Sequence, residues 1–167
     1  MELEKYKHIA DKYGIEHMLL ISPQDIVFDI RSILKCNWGC DKSKGKTIKC
    51  DNQGLSIEER KQIINAYSKI LILHGHDGYN VTKACLHIEK ELFLDDYYYA
   101  FTLRSCNFCK DCKVDEGKDC AHPDKVRPCE EMFGIDVYQT ARNLALPIKV
   151  LKNKDEVSNR YGFVLVA

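Results

Sequence analysis

The placement of the cysteines constrains this chain more than any other feature of its sequence. Eight of the nine cysteines fall within two segments, 36–54 and 105–129, and the ninth is Cys85. Both segments are rich in Gly, Lys and Asp and carry no periodic apolar residues, a composition typical of irregular loops. Burial in a hydrophobic core therefore does not explain these eight thiols.

The overall charge and the short apolar runs exclude several functions. The chain has 25 basic and 25 acidic residues, a balance that removes the electrostatic basis for general binding to nucleic acids or anionic membranes. Its apolar runs are much shorter than the roughly 18–20 residues that a membrane-spanning helix needs. Residues 1–14 are too charged for the apolar part of a secretory signal, so we expect a cytoplasmic protein.

This expected location bears on the role of the cysteines. Thiols in the cytoplasm stay reduced, and an odd number of cysteines fits poorly with a framework of paired disulfides. The two cysteine segments are therefore predicted to bind a metal.

Capping residues and apolar periodicity predict alternating helices and strands. The predicted helices cover 2–13, 22–34, 56–67, 81–94 and 136–144. The predicted strands cover 17–22, 71–76, 97–103, 147–151 and 162–166, and 26–30 fits a strand as well as a helix. We expect one small domain over residues 1–167, of the α/β or α+β class, in which helices alternate with short strands and two cysteine-rich loops bind metal.

The downstream loop contains the most specific motif in the chain. Cys106, Cys109 and Cys112 follow C-x2-C-x2-C spacing, and Cys120 lies further on, shortly before Pro123. Two residues between thiolates allow one turn of backbone to wrap around a metal and to direct its N–H groups at sulfur. Bacterial-type ferredoxins use a related run of cysteines that ends before a proline. These four cysteines are therefore predicted to bind a [4Fe–4S] cluster.

Zinc and a different fourth ligand are open alternatives for this loop. Structural zinc sites usually take two cysteines from each of two separated knuckles, which three cysteines within 106–112 fit poorly. Cys129 also follows a proline and competes with Cys120 for the fourth position. His122 is close in sequence, but we expect it to pack in the turn or to hydrogen-bond a cluster sulfur.

The upstream loop has a less diagnostic pattern. Its C-x3-C-x9-C spacing matches no common ferredoxin run, yet three thiols in a polar loop still indicate metal ligands, namely Cys36, Cys40 and Cys50. If they hold a second cluster, its fourth position is either open or supplied from elsewhere in the chain. The candidates for that position are Cys85, Cys129, His74 and His76.

Each of these candidates also has a structural interpretation. Cys85 lies on the apolar face of a predicted helix, where a thiol more often acts as a small buried hydrophobe. His74 and His76 flank a glycine at a strand end, a position more typical of surface histidines.

Several motifs occur together in residues 105–148. They are Cys106, Cys109 and Cys112, Cys120 with Pro123, Arg127 with Pro128, and the helix-opening Gly-Ile-Asp-Val at 134–137. Together they resemble the C-terminal signature of a family of predicted metal-binding proteins, domain-of-unknown-function family 2284. That family also carries an upstream loop of spaced cysteines, and the resemblance extends over most of the chain from about residue 25. It implies metal or iron–sulfur binding and brings no established reaction.

The chain departs from the family pattern at two positions. Cys50 is followed by Asp51 and Asn52, where the family usually has two prolines, so the upstream loop departs from the usual pattern. Cys129 stands where the family usually has serine, which makes it a candidate for an extra ligand.

The motifs favour one function and leave two alternatives open. We expect an iron–sulfur protein with one [4Fe–4S] cluster, and a second if the upstream loop is filled, that passes electrons to a partner enzyme or activates it. The sequence contains no P-loop, dinucleotide-binding glycine motif or G-x-S-x-G elbow. The alternatives are an iron–sulfur enzyme whose open-site cluster is held by Cys36, Cys40 and Cys50, and a zinc-stabilised interaction module. We expect no nucleic-acid or membrane partner.

Overall fold

A computed structural model describes residues 2–40, 48–50 and 53–167 of the chain. Within these ranges, one antiparallel sheet contains the strands β1 (His17–Ile21), β2 (Ile70–Gly75), β3 (Phe101–Leu103) and β4 (Arg160–Leu165). The strand order is β1-β2-β4-β3, so β2 and β4 lie in the centre. All three strand pairs are antiparallel, which makes the fold α+β. This confirms the prediction of an α/β or α+β domain and decides for the second class.

Capping side chains begin the main helices. The helices are α1 (Leu3–Lys12), α2 (Arg31–Leu34), α3 (Ile57–Asn65), α4 (Gly78–Leu94) and α5 (Val137–Asn143). Ser56 and Glu59 form the predicted capping box of α3, and the carboxylate of Asp136 accepts a backbone N–H bond at the start of α5. Helix α4 begins three residues earlier than predicted, because Asp77 accepts bonds from the backbone N–H groups of residues 79 and 80.

The sheet has a hydrophobic cluster on each face. Alternate residues of a strand point to opposite faces, so Leu71 and Leu73 pack against α1 and α4, while Ile70 and Ile72 pack on the other face. That second face is covered by α3, by α5 and by the chain segment around Phe133. Because both faces of β2 are buried, its sequence reads as an unbroken apolar run.

The predicted helix over 22–34 is wrong in its middle part. The capping residues Ser22 and Asp25 open only a 3-10 turn, Pro23–Asp25. Phe28 then pairs with Ile135 in an isolated β-bridge, and helical structure resumes only in α2. The bridge holds this stretch of backbone extended against the start of α5, which explains why 26–30 also fitted a strand.

Two predicted strands also differ from the structure. Residues 97–100 form a turn closed by a bond from Ala100 N–H to the carbonyl of Tyr97, and β3 begins only at Phe101, opposite the end of β4. The segment 147–151 forms no strand, because it lies over the face of the sheet that α3 and α5 also cover. Ile148 packs against the hydrophobic cluster of that face, and the hydroxyl of Tyr161 donates to the carbonyl of Pro147. In the described part of the chain, no helix combines the length and apolar character needed to span a bilayer.

Cys85 lies fully buried on the core face of α4. It packs against Gly162 of β4 so closely that a Cβ added at Gly162 would come to 2.5 Å from its sulfur. Burial raises the pKa of the Cys85 thiol to about 12, so this thiol stays protonated at neutral pH. These surroundings support a packing role for Cys85 rather than metal ligation.

We expect Gly162→Ala to lower the free energy of unfolding by about 1–3 kcal/mol, because the new methyl group collides with the Cys85 sulfur. Cys85→Ala alone should cost about 1 kcal/mol, and combining the two substitutions should recover part of the loss. Urea denaturation of the four proteins measures the coupling. Strictly additive effects would contradict the close contact.

Candidate metal sites

The downstream cysteine loop leaves the sheet at the end of β3 and returns beside it. At its start, the backbone N–H of Ser105 donates to the Glu130 carboxylate at 2.9 Å. The backbone N–H of Arg104 donates to the carbonyl of Pro128, also at 2.9 Å. The two ends of the loop are therefore joined, and the cysteines between them are held at one end of the sheet.

The four predicted ligands of this loop surround one cavity of about 120 Å³, which is lined by Cys106, Cys109, Cys112 and Cys120, together with Asn107, Phe108, Lys110, Asp115 and His122. The four cysteines are all partly exposed. After Cys112 a 3-10 turn, Lys113–Glu116, ends at Gly117, whose left-handed backbone (φ 77°) turns the chain back toward Cys120. The ring of His122 packs edge-on against Phe108, with 5.2 Å between centroids, which agrees with the predicted packing role in the turn.

The spacing of ligand atoms separates this cavity from a compact single-ion site. Among the described residues, groups of three ligand atoms that all lie within 4.8 Å of one another are Glu16, His17 and His74, and Cys129, Glu130 and Glu131. The four cysteines of the cavity are in neither group. A tetrahedral zinc ion with Zn–S bonds of about 2.3 Å would hold its sulfurs only about 3.8 Å apart. The four thiols thus line one cavity, and no three of them form such a compact group in the described chain.

Two ion pairs anchor the loop to the fold. Arg127 binds the carboxylate of Glu89 on α4, with 3.0 Å between Nε and Oε2, and Glu89 also accepts the backbone N–H of Thr102 on β3. Arg104 lies 3.3 Å from Glu130, and both side chains are almost fully buried. Burial raises the pKa of Glu130 to about 7, against the opposing effect of the Arg104 charge.

The upstream loop begins with a wide, π-helical turn, Lys35–Gly39, directly after α2. Cys36 lies in this turn beside Cys129, whose segment packs against the turn. This contact lowers the pKa of Cys36 to about 7 and, together with burial, raises the pKa of Cys129. The hydroxyl of Ser32 donates to the carbonyl of Glu131 at 3.1 Å, which fixes α2 beside the segment that carries Cys129.

This contact places Cys129 with the upstream cysteines. Cys129 is not among the residues that line the downstream cavity, although the sequence left it as a competitor of Cys120 there. Its sulfur accepts the backbone N–H of Met132 at 3.4 Å, a bond that orients the thiol toward the start of a 3-10 turn, Glu131–Phe133.

The remaining upstream cysteines lie on either side of a part of the loop that the structure does not describe. Cys40 ends the π-helical turn, and Cys50 ends a short 3-10 turn, Ile48–Cys50. Both are partly exposed. Residues 41–47 and 51–52 of the predicted loop are outside the described ranges.

The histidine candidates belong to a different group. His74 is fully buried, which corrects the expectation of a surface residue, whereas His76 is exposed. Both lie beside Glu16, and His74 also contacts His17. Sequence reasoning missed Glu16 and His17, because only the pairing of β1 with β2 brings them to His74.

A larger cavity of about 560 Å³ adjoins both cysteine loops. It is mainly apolar, and its lining includes Ile48 from the upstream loop and Pro128 from the downstream loop. Tyr67, which follows α3, and Phe101 of β3 also line it. A space of this size and character accommodates a small apolar molecule.

We expect Glu89→Ala to lower the free energy of unfolding by about 2–4 kcal/mol, because it leaves the partly buried Arg127 charge without its carboxylate. The matched control is Glu116→Ala, which removes an exposed ion pair with Lys113 and should cost less than about 1 kcal/mol. Urea denaturation of the metal-free proteins measures both values. Equal losses in the two variants would show that Glu89 does not anchor the loop.

Comparison with known proteins identifies the family of the chain. Residues 19–166 match the family model described as predicted metal-binding protein (DUF2284). Searches of the curated proteins and of the solved structures gave no significant match. The family match includes both cysteine loops and confirms the resemblance noted for residues 105–148. The chain therefore belongs to the DUF2284 family of predicted metal-binding proteins.

Proposed function

We propose that the chain is an iron–sulfur protein whose downstream loop holds a [4Fe–4S] cluster. The observation that carries this proposal is the single cavity lined by Cys106, Cys109, Cys112 and Cys120. Four cysteine thiolates are the ligand set that such clusters use. When bound, the cluster would supply one-electron redox chemistry.

The distribution of the thiols favours an iron–sulfur cluster over zinc. Each iron of a cluster binds its own cysteine, so the four sulfurs must stand apart around a central space. The four described thiols line one cavity, and no three of them form a group as compact as the two described above, in which all ligand atoms lie within 4.8 Å of one another. Lys110 also lines the cavity, and its positive charge offsets the negative charge that thiolate ligation brings.

The position of the loop fits electron exchange with a partner protein. An electron-transfer centre must approach the protein surface, and all four cysteines are partly exposed. The loop's ends are meanwhile fixed by buried groups, Glu130 and Arg104, so the ligands keep their positions while their outer side meets solvent. We therefore propose that a redox partner or enzyme docks on this loop in the cytoplasm, and that neither nucleic acid nor a membrane is the partner.

For the upstream loop we propose a second cluster with Cys129 as the fourth ligand. Cys129 meets Cys36, the first of the three cysteines predicted there. A fourth thiol beside Cys36 favours complete cysteine ligation over a cluster with one open iron. The two clusters would then be linked through the short segment between Cys120 and Cys129.

An iron–sulfur enzyme with an open-site cluster on Cys36, Cys40 and Cys50 is the second candidate. The apolar cavity of about 560 Å³ favours it, since its lining includes Pro128, which precedes Cys129, and Ile48, two residues before Cys50, and it offers space for a substrate. The contact between Cys36 and Cys129 argues for the first candidate, and the variant of Cys129 described below separates the two.

Anaerobic purification should yield a coloured protein with about four irons per chain from the downstream site, or about eight if both sites are filled. Cys109→Ala should remove about four irons and the matching labile sulfide, because one cavity ligand is lost. Cys85→Ala is the matched control: this cysteine is buried in the core, and its loss should leave the iron content unchanged. Iron, zinc and sulfide analysis with visible absorption measures the outcome.

A colourless protein with stoichiometric zinc and no labile sulfide would overturn the iron–sulfur proposal and favour the zinc-stabilised interaction module. Iron near four that is unaffected by Cys50→Ala would confine the cluster to the downstream loop.

Cys129→Ala should lower the iron content by about four and leave the downstream cluster intact, because Cys129 meets Cys36 and does not line the downstream cavity. Trp38, the single tryptophan of the chain, lies in the turn between Cys36 and Cys40, so its fluorescence reports on the upstream site separately. We expect the fluorescence to be quenched by the metal in the wild type and to recover in the variant. Full iron content and unchanged quenching in Cys129→Ala would favour the open-site enzyme.

A further inference from the structure

A group of histidines lies at the neighbouring ends of strands β1 and β2. The antiparallel register places His17 of β1 directly opposite His74 of β2. Glu16 precedes β1, and its backbone N–H donates to the carbonyl of His74 at 2.9 Å. His76 follows β2 and reaches back to Glu16. The sheet itself therefore gathers three imidazoles and one carboxylate.

The polar atoms of Glu16, His17 and His74 converge on one space, and His76 adjoins it through Glu16. The Nδ1 atoms of His17 and His74 are 2.9 Å apart. An oxygen of Glu16 lies 3.9 Å from Nδ1 of His74, and its other oxygen lies 3.1 Å from Nε2 of His76. One ligand atom each from Glu16, His17 and His74 falls within 4.8 Å of the others.

The far sides of two imidazoles are held by oxygen acceptors. Nε2 of His74 lies 2.9 Å from Oδ1 of Asn159, which only accepts, so this nitrogen carries the proton. Nδ1 of His76 lies 2.9 Å from the carbonyl of Ser158 and is protonated for the same reason. A neutral imidazole protonated on one nitrogen presents a lone pair on the other. Such outer hydrogen bonds are the arrangement that orients histidine ligands around metals.

We propose a binding site for a divalent metal ion of the zinc class, formed by Glu16, His17, His74 and His76. Imidazole nitrogen and carboxylate oxygen are ligands that zinc takes at about 2.0–2.2 Å. A tetrahedral ion at that distance holds its ligand atoms about 3.4 Å apart, and the two separations from Nδ1 of His74, 2.9 and 3.9 Å, lie on either side of this value. His76 would join through Nε2, which lies 3.1 Å from the other oxygen of Glu16. When the ion binds, the proton between the two Nδ1 atoms would transfer, by exchange with solvent, to Nε2 of His17, so that both rings stay neutral and both Nδ1 lone pairs face the ion.

The surroundings indicate a structural rather than a catalytic ion. Four protein ligands complete a tetrahedral shell and leave no position for a substrate. Two of the four come from the strands β1 and β2 themselves, and the acceptors Ser158 and Asn159 lie directly before β4. An ion here would tie the ends of three neighbouring strands together. His74 is fully buried, while Glu16 and His17 are exposed and give the ion access.

This site is independent of the proposed cysteine clusters, because its ligands are nitrogen and oxygen. Zinc added anaerobically to the purified protein should therefore produce a nitrogen/oxygen shell at about 2.0–2.1 Å in zinc-edge X-ray absorption, distinct from sulfur at about 2.3 Å. We expect His17→Ala and Glu16→Gln each to lose this shell and one zinc per chain. Zinc should also raise the melting temperature of the wild type and have a smaller effect on both variants.

The matched control is His8→Ala, which removes an exposed histidine of α1 and should keep both the shell and the zinc. Both test positions are exposed, and Glu16→Gln preserves the shape of its side chain, so neither substitution removes a residue from the hydrophobic core. A wild-type protein without the nitrogen/oxygen shell would overturn the proposal, as would a shell that persists in both variants. Either result leaves the iron and sulfide content, and hence the cluster proposal, unaffected.

Discussion

The buried carboxylate of Glu130 connects the sheet to both cysteine loops. It accepts the backbone N–H of Ser105, where the downstream loop begins, and it is paired with Arg104 at the end of β3. Its neighbour Cys129 meets Cys36 of the upstream loop. Taking a charge out of water is costly unless a partner compensates it. Glu130 and Arg104 must therefore stay paired, and their pairing keeps the end of β3 and the segment that carries Glu130 together. The geometry of both candidate sites depends on that arrangement.

The two loops differ in how they are organised. The downstream loop is closed on itself and contains all four of its candidate ligands within 106–120, around one cavity. The upstream loop contributes Cys36 from a π-helical turn, and the thiol beside it belongs to Cys129, more than ninety residues further along the chain. A site built in this second way can only form once α2 has packed against the segment that follows Cys129, which the bond from Ser32 to Glu131 secures.

Much of the fold could be predicted, because the signals were local. The capping box at Ser56 and the buried run of β2 correspond directly to observed elements. The failures occurred where distant contacts override local preference. The capping residues after β1 begin only a short turn, since Phe28 is held extended by Ile135, more than a hundred residues further along the chain. The apolar segment at 147–151 covers the sheet instead of joining it, a choice that its own composition cannot reveal.

The sequence by itself determined the downstream group of cysteines, because two-residue spacing brings thiols together through the geometry of a single backbone turn. It also determined the metal-binding family of the chain. Only the tertiary structure decided that Cys129 faces Cys36 and that His17 lies opposite His74, 57 residues away. Both pairs depend on the register and packing of elements far apart in the chain. Register and packing are set by burial of the whole core, so no local pattern in the sequence predicts either pair.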